Sequence, residues 1–325
     1  VSPVQELQMV TQKGENTHVV AIKGNFDDAQ SGVKKIFGDK ELKENMKKAG
    51  YQFSSANSIN IGRLVPQIVY YVYTYASLLK NQEITLGEKI NVVVPTGNFG
   101  NILAAFYAKQ IGIPIDKLIC ASNENKVLVD FFQTGIYDRN RDFILTSSPS
   151  MDILISSNLE RLIYLIAGQK EETTAQLMNA LSNHGTYEIT NEMKELLKDF
   201  AGDYASEEET AQVINKIYKE TNYIIDTHTA VAASVYYKYR ERTKDKTKTV
   251  ITSTASPYKF AKSVMVAIDK EYETYSDFQL IQELNKVSKV DIPNAINEIM
   301  DANVIHNTVV DCEEMKHTVE AILNN

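Results

Sequence analysis

Thiols are scarce in this sequence. Cys120 and Cys312 stand far apart and in no CxxC arrangement, which argues against a disulfide scaffold or a thiolate metal site and favours a reducing compartment. The five histidines, His18, His184, His228, His306 and His317, form no HxxxH or HxH pair, so no metal site is expected. No signal peptide is visible, and the chain opens on Val1 rather than Met, so a processed or truncated product is expected. The longest apolar stretch, from Leu64 to Leu79, is interrupted by Pro66, Gln67 and Ser77 and carries four tyrosines. It is apolar all round and reads as a buried central helix rather than a membrane span. Internal repeats and low-complexity segments are absent. These absences together predict a cytoplasmic protein with no membrane partner.

What is present is ordinary in bulk. With 325 residues, 43% hydrophobic and 23% charged, the chain can build a large core, and its length suggests about two domains. A formal charge of -8 and a pI near 5.3 disfavour a nucleic-acid surface. Any anion must be bound at a local site.

Short β-branched runs alternate with helical patterns. THVVAIKG (17–24) reads as a strand, with helices over 27–37 and 40–48 after it. YQFSS (51–55) reads as a strand before the long apolar helix. NVVVP, a helix from Asn101 to Gln110, and KLICASN continue the alternation. NYIID (222–226), a helix to about Arg242, TVITST (249–254) and a helix from Tyr258 repeat it. This order predicts an α/β fold, a parallel sheet flanked by helices on both faces. The stretches between these units read as wholly helical. Ser206 with Glu209, and Ser157 with Glu160, have capping-box spacing. KYRERTKDKTK (238–248) reads as a helix end and a solvated turn.

Three polar clusters fall between strand and helix patterns. PTGNFGN (95–101) follows an apolar run and opens a helix. Such a turn leaves N–H groups unpaired, and its glycines let a phosphate approach, although a plain strand-to-helix turn has the same outline. It is neither a Walker loop nor a GxGxxG fingerprint, so any phosphate belongs to something other than ATP or NAD. SSANSINIGR (54–63) gathers three serines, two asparagines and Arg63, groups suited to a phosphate ester or carboxylate. A capped helix start with Asn60 as N-cap fits it as well. STASPYKF (253–260) is equally compatible with a cap.

In combination these clusters resemble threonine synthase, a pyridoxal-phosphate (PLP) enzyme. The resemblance rests on SSANSINIGR, PTGNFGN, SPSMDILISSNLER (148–161), DTHTAVA (226–232) and TASPYKF (254–260), in family order. It covers most of the chain from Ser2 to about Val266. It implies PLP fold type II, the tryptophan synthase beta-like architecture, truncated at the N-terminus. Residues 1–50 would be a remnant of a small α/β domain, 51–269 the large PLP-binding domain, and 270–325 a helical extension. It also implies that Gly97, Asn98, Phe99 and Gly100 cradle the cofactor phosphate through their backbone, while Thr254 bonds the pyridine nitrogen. Ser58, Arg63 and Asn101 would grip the substrate phosphate. The implied reaction converts O-phospho-L-homoserine and water to L-threonine and phosphate, in a monomer or homodimer.

The sequence departs from the family in three places. The S-F-K-D type motif that carries the Schiff-base lysine is absent, as is the SGDTG loop that grips the substrate carboxylate. Ser256 stands where the family often has histidine. No catalytic residue is therefore assigned, Lys259 belongs to a different motif, and half an active site, inactive alone, is expected. The competing readings are another fold type II lyase or dehydratase, and a non-catalytic phosphate-binding protein.

Overall fold

Val92, Val93 and Val94 lie in a run without charge, and a strand of that kind survives only where both its faces are covered. The computed structural model, which describes residues 2–24, 26–56 and 60–323, shows this covering directly. Its strands are β1 (Val20–Ile22), β2 (Ile90–Pro95), β3 (Ile115–Ser122), β4 (Ile136–Asp138), β5 (Thr186–Glu188), β6 (Phe200–Tyr204), β7 (Thr249–Ile251) and β8 (Thr308–Val310). The chain forms two units, Val1–Ser55 with Tyr275–Asn325, and Ala56–Thr274.

The Ala56–Thr274 unit is built on a parallel sheet in the order β6-β3-β2-β7. Side chains of a strand alternate between faces, and here each face has its own core. Val92 and Val94 of β2, with Leu118 and Cys120 of β3, pack with Ile102 and Leu103 of the Gly100–Gln110 helix. Val93, Ile119 and Ala121 point the other way, onto Val231, Val235 and Tyr239 of the Thr227–Thr243 helix. This is the predicted α/β architecture, with helices on both faces. Burial pushes the Cys120 thiol up to about 12, so it is an inert core group. Strands β4 and β5 form a separate antiparallel pair, with Tyr137 stacked on Tyr187 at 5.3 Å.

In the other unit, β1 pairs in parallel with β8, Val20 opposite Thr308. Ile36, Leu42 and Met46 form a small core there, with Met315 and Val319 packed against it.

Several local expectations need correction. YQFSS (51–55) and NYIID (222–226) form no strand. Strand propensity is realised only where a partner is available, and 222–226 links two helices instead. Asn222 closes one helix in the left-handed region and Asp226 caps the next. The stretch read as wholly helical contains β5 and β6. FAGDY has weak intrinsic preference for a strand, but pairing with β3 overrides it. The tail read as helical contributes β8.

The apolar run from Leu64 is not a buried helix either. It forms a 3-10 turn (Val65–Gln67) and the Ile68–Lys80 helix, in which Tyr71 and Tyr75 are buried while Val69, Tyr70 and Tyr73 are exposed. Of the two capping boxes, Ser206 with Glu209 forms, and Ser157 with Glu160 does not. The second helix starts at Leu159 with Asn158 as N-cap. Ser157 turns its hydroxyl to the Asn98 side chain, 3.3 Å away.

Candidate functional site

β2 ends at Pro95, and the chain turns through 96–99 into the Gly100–Gln110 helix. Thr96 anchors the turn, its N–H donating to the Ala121 carbonyl (2.8 Å) and its hydroxyl to the Val94 carbonyl (2.7 Å). Phe99 then adopts φ 64°, ψ -3°, a left-handed conformation that costs a bulky side chain roughly 1–2 kcal/mol. Its ring is buried with Phe132 and Phe200, each at 6.0 Å, and that packing offsets the strain.

The polar groups of the turn are divided in use. Its carbonyls are taken by protein. Gly97 O accepts from the Ser156 hydroxyl at 2.7 Å, and Asn98 O from both the N–H (3.1 Å) and the amide (2.9 Å) of Asn158. Phe99 O accepts from the Leu103 N–H at 3.0 Å. Among the described residues, the N–H groups of Gly97, Asn98, Phe99, Gly100 and Asn101 have no acceptor. Five donors at the positive end of an 11-residue helix make a place for an anion.

The turn is walled by residues 150 and 151. A Cβ built on Gly97 would lie 2.4 Å from Ser150 O and 3.3 Å from Met151 Cα. Only glycine fits there. The wall is in turn fixed from two sides. The Ser150 N–H donates to His228 Nε2 at 3.2 Å, and His228 Nδ1 lies 3.2 Å from Asp226 Oδ1. The imidazole therefore carries its proton on Nδ1, and its other nitrogen is already used. His228 braces the wall. On the other side, the buried Asp152 carboxylate accepts from Asn123 (2.7 Å), Asn125 (3.1 Å), and the hydroxyl (2.7 Å) and N–H (3.0 Å) of Thr146.

Between the turn and this wall lies a cavity of about 270 Å³, lined by residues 95–102, Gln67, Ser150, Met151, His228, Thr254, Ala255 and Lys259. It opens at the carboxyl ends of β2 and β7, where parallel sheets place ligands.

Of the residues singled out in the sequence, Gly97, Asn98, Phe99, Gly100, Asn101 and Thr254 all line this cavity. Arg63 does not. It is exposed in a short helix (Ile61–Leu64) that Asn60 caps by accepting from the Gly62 N–H at 2.9 Å. Ser58 lies outside the described residues. Ser256 caps the 257–260 turn. Lys259 reaches the cavity, its ammonium 5.4 Å from the Phe260 ring centre. Gln67 and Tyr71 were not singled out. Gln67 is a polar break in an apolar run, and that break was its signal.

Comparisons with known proteins agree on one family. Residues 229–319 match the family model "Threonine synthase, C-terminal". Human threonine synthase-like 1 is 44% identical over 285 residues, 86% of this chain and 38% of its own length. The threonine synthase of Schizosaccharomyces pombe is 39% identical over 300 residues, 86% of this chain and 56% of its own. A solved structure, PLP-bound threonine synthase from Brucella melitensis, superimposes with a TM-score of 0.80 at 32% identity, covering 100% of this chain and 63% of that one. This chain thus spans between about two fifths and two thirds of the length of these relatives. In sequence and in fold, the chain is threonine synthase-like.

Proposed function

We propose that the cavity is the phosphate-holding half of a PLP site, in a chain whose family reaction turns O-phospho-L-homoserine and water into L-threonine and phosphate. The observation that carries this reading is the set of five N–H groups at Gly97–Asn101 that have no partner among the described residues, while the carbonyls of Gly97, Asn98 and Phe99 are committed elsewhere. The residues fit the group. A phosphate monoester needs several donors converging without a bulky side chain, and the glycine turn offers them at a helix N-terminus. Gly97, Asn98, Phe99 and Gly100 would hold the cofactor phosphate. Thr254, on the cavity wall, would give its hydroxyl to the ring nitrogen. Asn101 would receive the substrate phosphate at the cavity, while Arg63, which does not line it, and Ser58 are added as phosphate-binding positions by the family resemblance alone. When bound, PLP supplies an electron sink for carbanionic character on the substrate. Placement in the cytoplasm goes with this biosynthetic reading.

The test has two parts. PLP titrated into the purified 325-residue chain, followed by absorbance, should bind saturably and compete with inorganic phosphate. No binding would remove the reading. Phosphate release from O-phosphohomoserine should not be catalysed by these residues alone, because the sequence holds no lysine in the family motif. Borohydride reduction should accordingly leave Lys259 unlabelled. A labelled Lys259, or turnover, would assign it the missing role.

A further inference from the structure

We infer that Tyr71 is a positioning residue, which locks the Asn101 carboxamide with its NH2 group turned into the cavity as a donor for an oxyanion. The inference rests on the proposed role of the cavity and adds a residue that does not itself line it.

Tyr71 lies on the Ile68–Lys80 helix, with only 4% of its surface exposed. Its phenol donates a hydrogen bond to Asn101 Oδ1. Asn101, one residue into its helix, lines the cavity. An asparagine amide has an acceptor end and a donor end that differ little in shape. Without a neighbour to distinguish them it can present either end to a ligand. The phenol removes that freedom. A neutral phenol can donate and accept, but among the described residues its O–H has no acceptor in hydrogen-bonding geometry other than Asn101 Oδ1. A flipped amide would leave that buried donor unmade, and burial keeps the phenol protonated.

The Thr252 hydroxyl also faces the phenol. Among the described residues it makes no hydrogen bond of ordinary geometry, so Asn101 is the partner that holds Tyr71. Among the described residues, nothing in the protein accepts from Asn101 Nδ2. Its two donors are left for an acceptor in the cavity, and for a negatively charged oxygen above all. The same residue in the flipped state would repel that oxygen.

The experiment uses the full 325-residue chain and three proteins: wild type, Tyr71→Phe and Asn101→Asp. Inorganic phosphate is titrated while the backbone N–H of residue 101, present in all three proteins, is followed by NMR, and PLP binding is measured separately by absorbance. Tyr71→Phe should weaken phosphate binding at Asn101 by about 3–10-fold, the range expected for one hydrogen bond, and leave PLP affinity unchanged. Asn101→Asp keeps an acceptor for the phenol but replaces the NH2 by oxygen. It should fold normally and abolish the response at that position. Wild-type phosphate affinity in Tyr71→Phe would overturn the inference. Should that variant not fold, wild-type affinity in Asn101→Asp overturns it instead. A wild type that ignores PLP but binds phosphate in a Tyr71-dependent way sinks the cofactor reading and upholds this one. PLP binding with phosphate indifferent to both substitutions does the reverse. Binding of neither defeats both.

Discussion

The two ends of strand β2 treat their polar groups in opposite ways. At the start, the Asn91 side chain is fully buried and bonded at both ends: its amide donates to Asp245 at 2.8 Å and its Oδ1 accepts from the Lys117 N–H at 3.1 Å. Asp245 also accepts from the Tyr239 phenol at 3.0 Å and the Thr247 N–H at 2.8 Å. At the other end, five consecutive N–H groups are held in place and, among the described residues, left without acceptors. Buried polar groups are normally paired, because leaving one unmade costs about 1–3 kcal/mol. Closed networks serve the fold, whereas an open one that the surrounding structure keeps open points to a ligand.

The largest expected effect tests the open end. Gly97→Val places a side chain against Ser150 O, 2.4 Å from the position of its Cβ, and must displace either the turn or its wall. PLP affinity should fall by about 100-fold, equivalent to ~2.7 kcal/mol. A cofactor titration within a factor of three of wild type would show that the turn does not hold the phosphate.

Next comes the closed end. Asn91→Ala leaves the Lys117 N–H and part of the Asp245 shell without partners, and should lower unfolding stability by about 1–3 kcal/mol. Urea denaturation measures it. PLP affinity should not change, and a parallel loss of both would erase the distinction between the two ends.

A smaller effect is expected at Arg63. Lysine keeps the charge but not the planar fork. Arg63→Lys should weaken O-phosphohomoserine binding about 5–10-fold, roughly 1–1.4 kcal/mol, with PLP affinity intact. Equal loss of both ligands would assign Arg63 to the fold or the cofactor.

The mildest test is pH. Burial alone would raise the Asp245 carboxyl, but hydrogen bonds from Thr247, Asn91 and Tyr239 bring it down to about 2. A lowered folded value stabilises the protein above the ordinary carboxylate range. That contribution is lost as pH falls from about 4 through about 2. Asp245→Asn should flatten this part of the stability curve, read from melting temperatures, without altering phosphate binding at neutral pH.

The sequence made the open end legible because its signals are local. An apolar run, a proline, paired glycines and a new helix follow one another within a dozen residues, and each has a direct structural consequence. The bracing was not legible. Asp226, His228 and Ser150 meet only because the Thr227–Thr243 helix crosses under the sheet, and Ser157 reads as a helix cap until Asn98 is brought beside it. Strand β6 was missed for a related reason, since FAGDY becomes a strand only through β3. Tyr71 was hidden among four tyrosines of similar spacing, of which packing buries two and exposes two.

Phe99 makes the ligand site depend on residues that no ligand touches. Its backbone holds the turn open only while its ring is held by Phe132 and by Phe200 of β6, which themselves stack at 5.1 Å. Phe200→Leu would remove no donor from the cavity. It would let the turn populate relaxed conformations in which the five N–H groups no longer converge. Apparent affinity scales with the fraction of molecules in the competent conformation. A loss of about 1 kcal/mol in aromatic packing would thus weaken the ligand by up to about five-fold, the more so the less the open turn is populated, although every contact in the bound state stayed the same. The affinity of this site is set in part on the far side of its own loop.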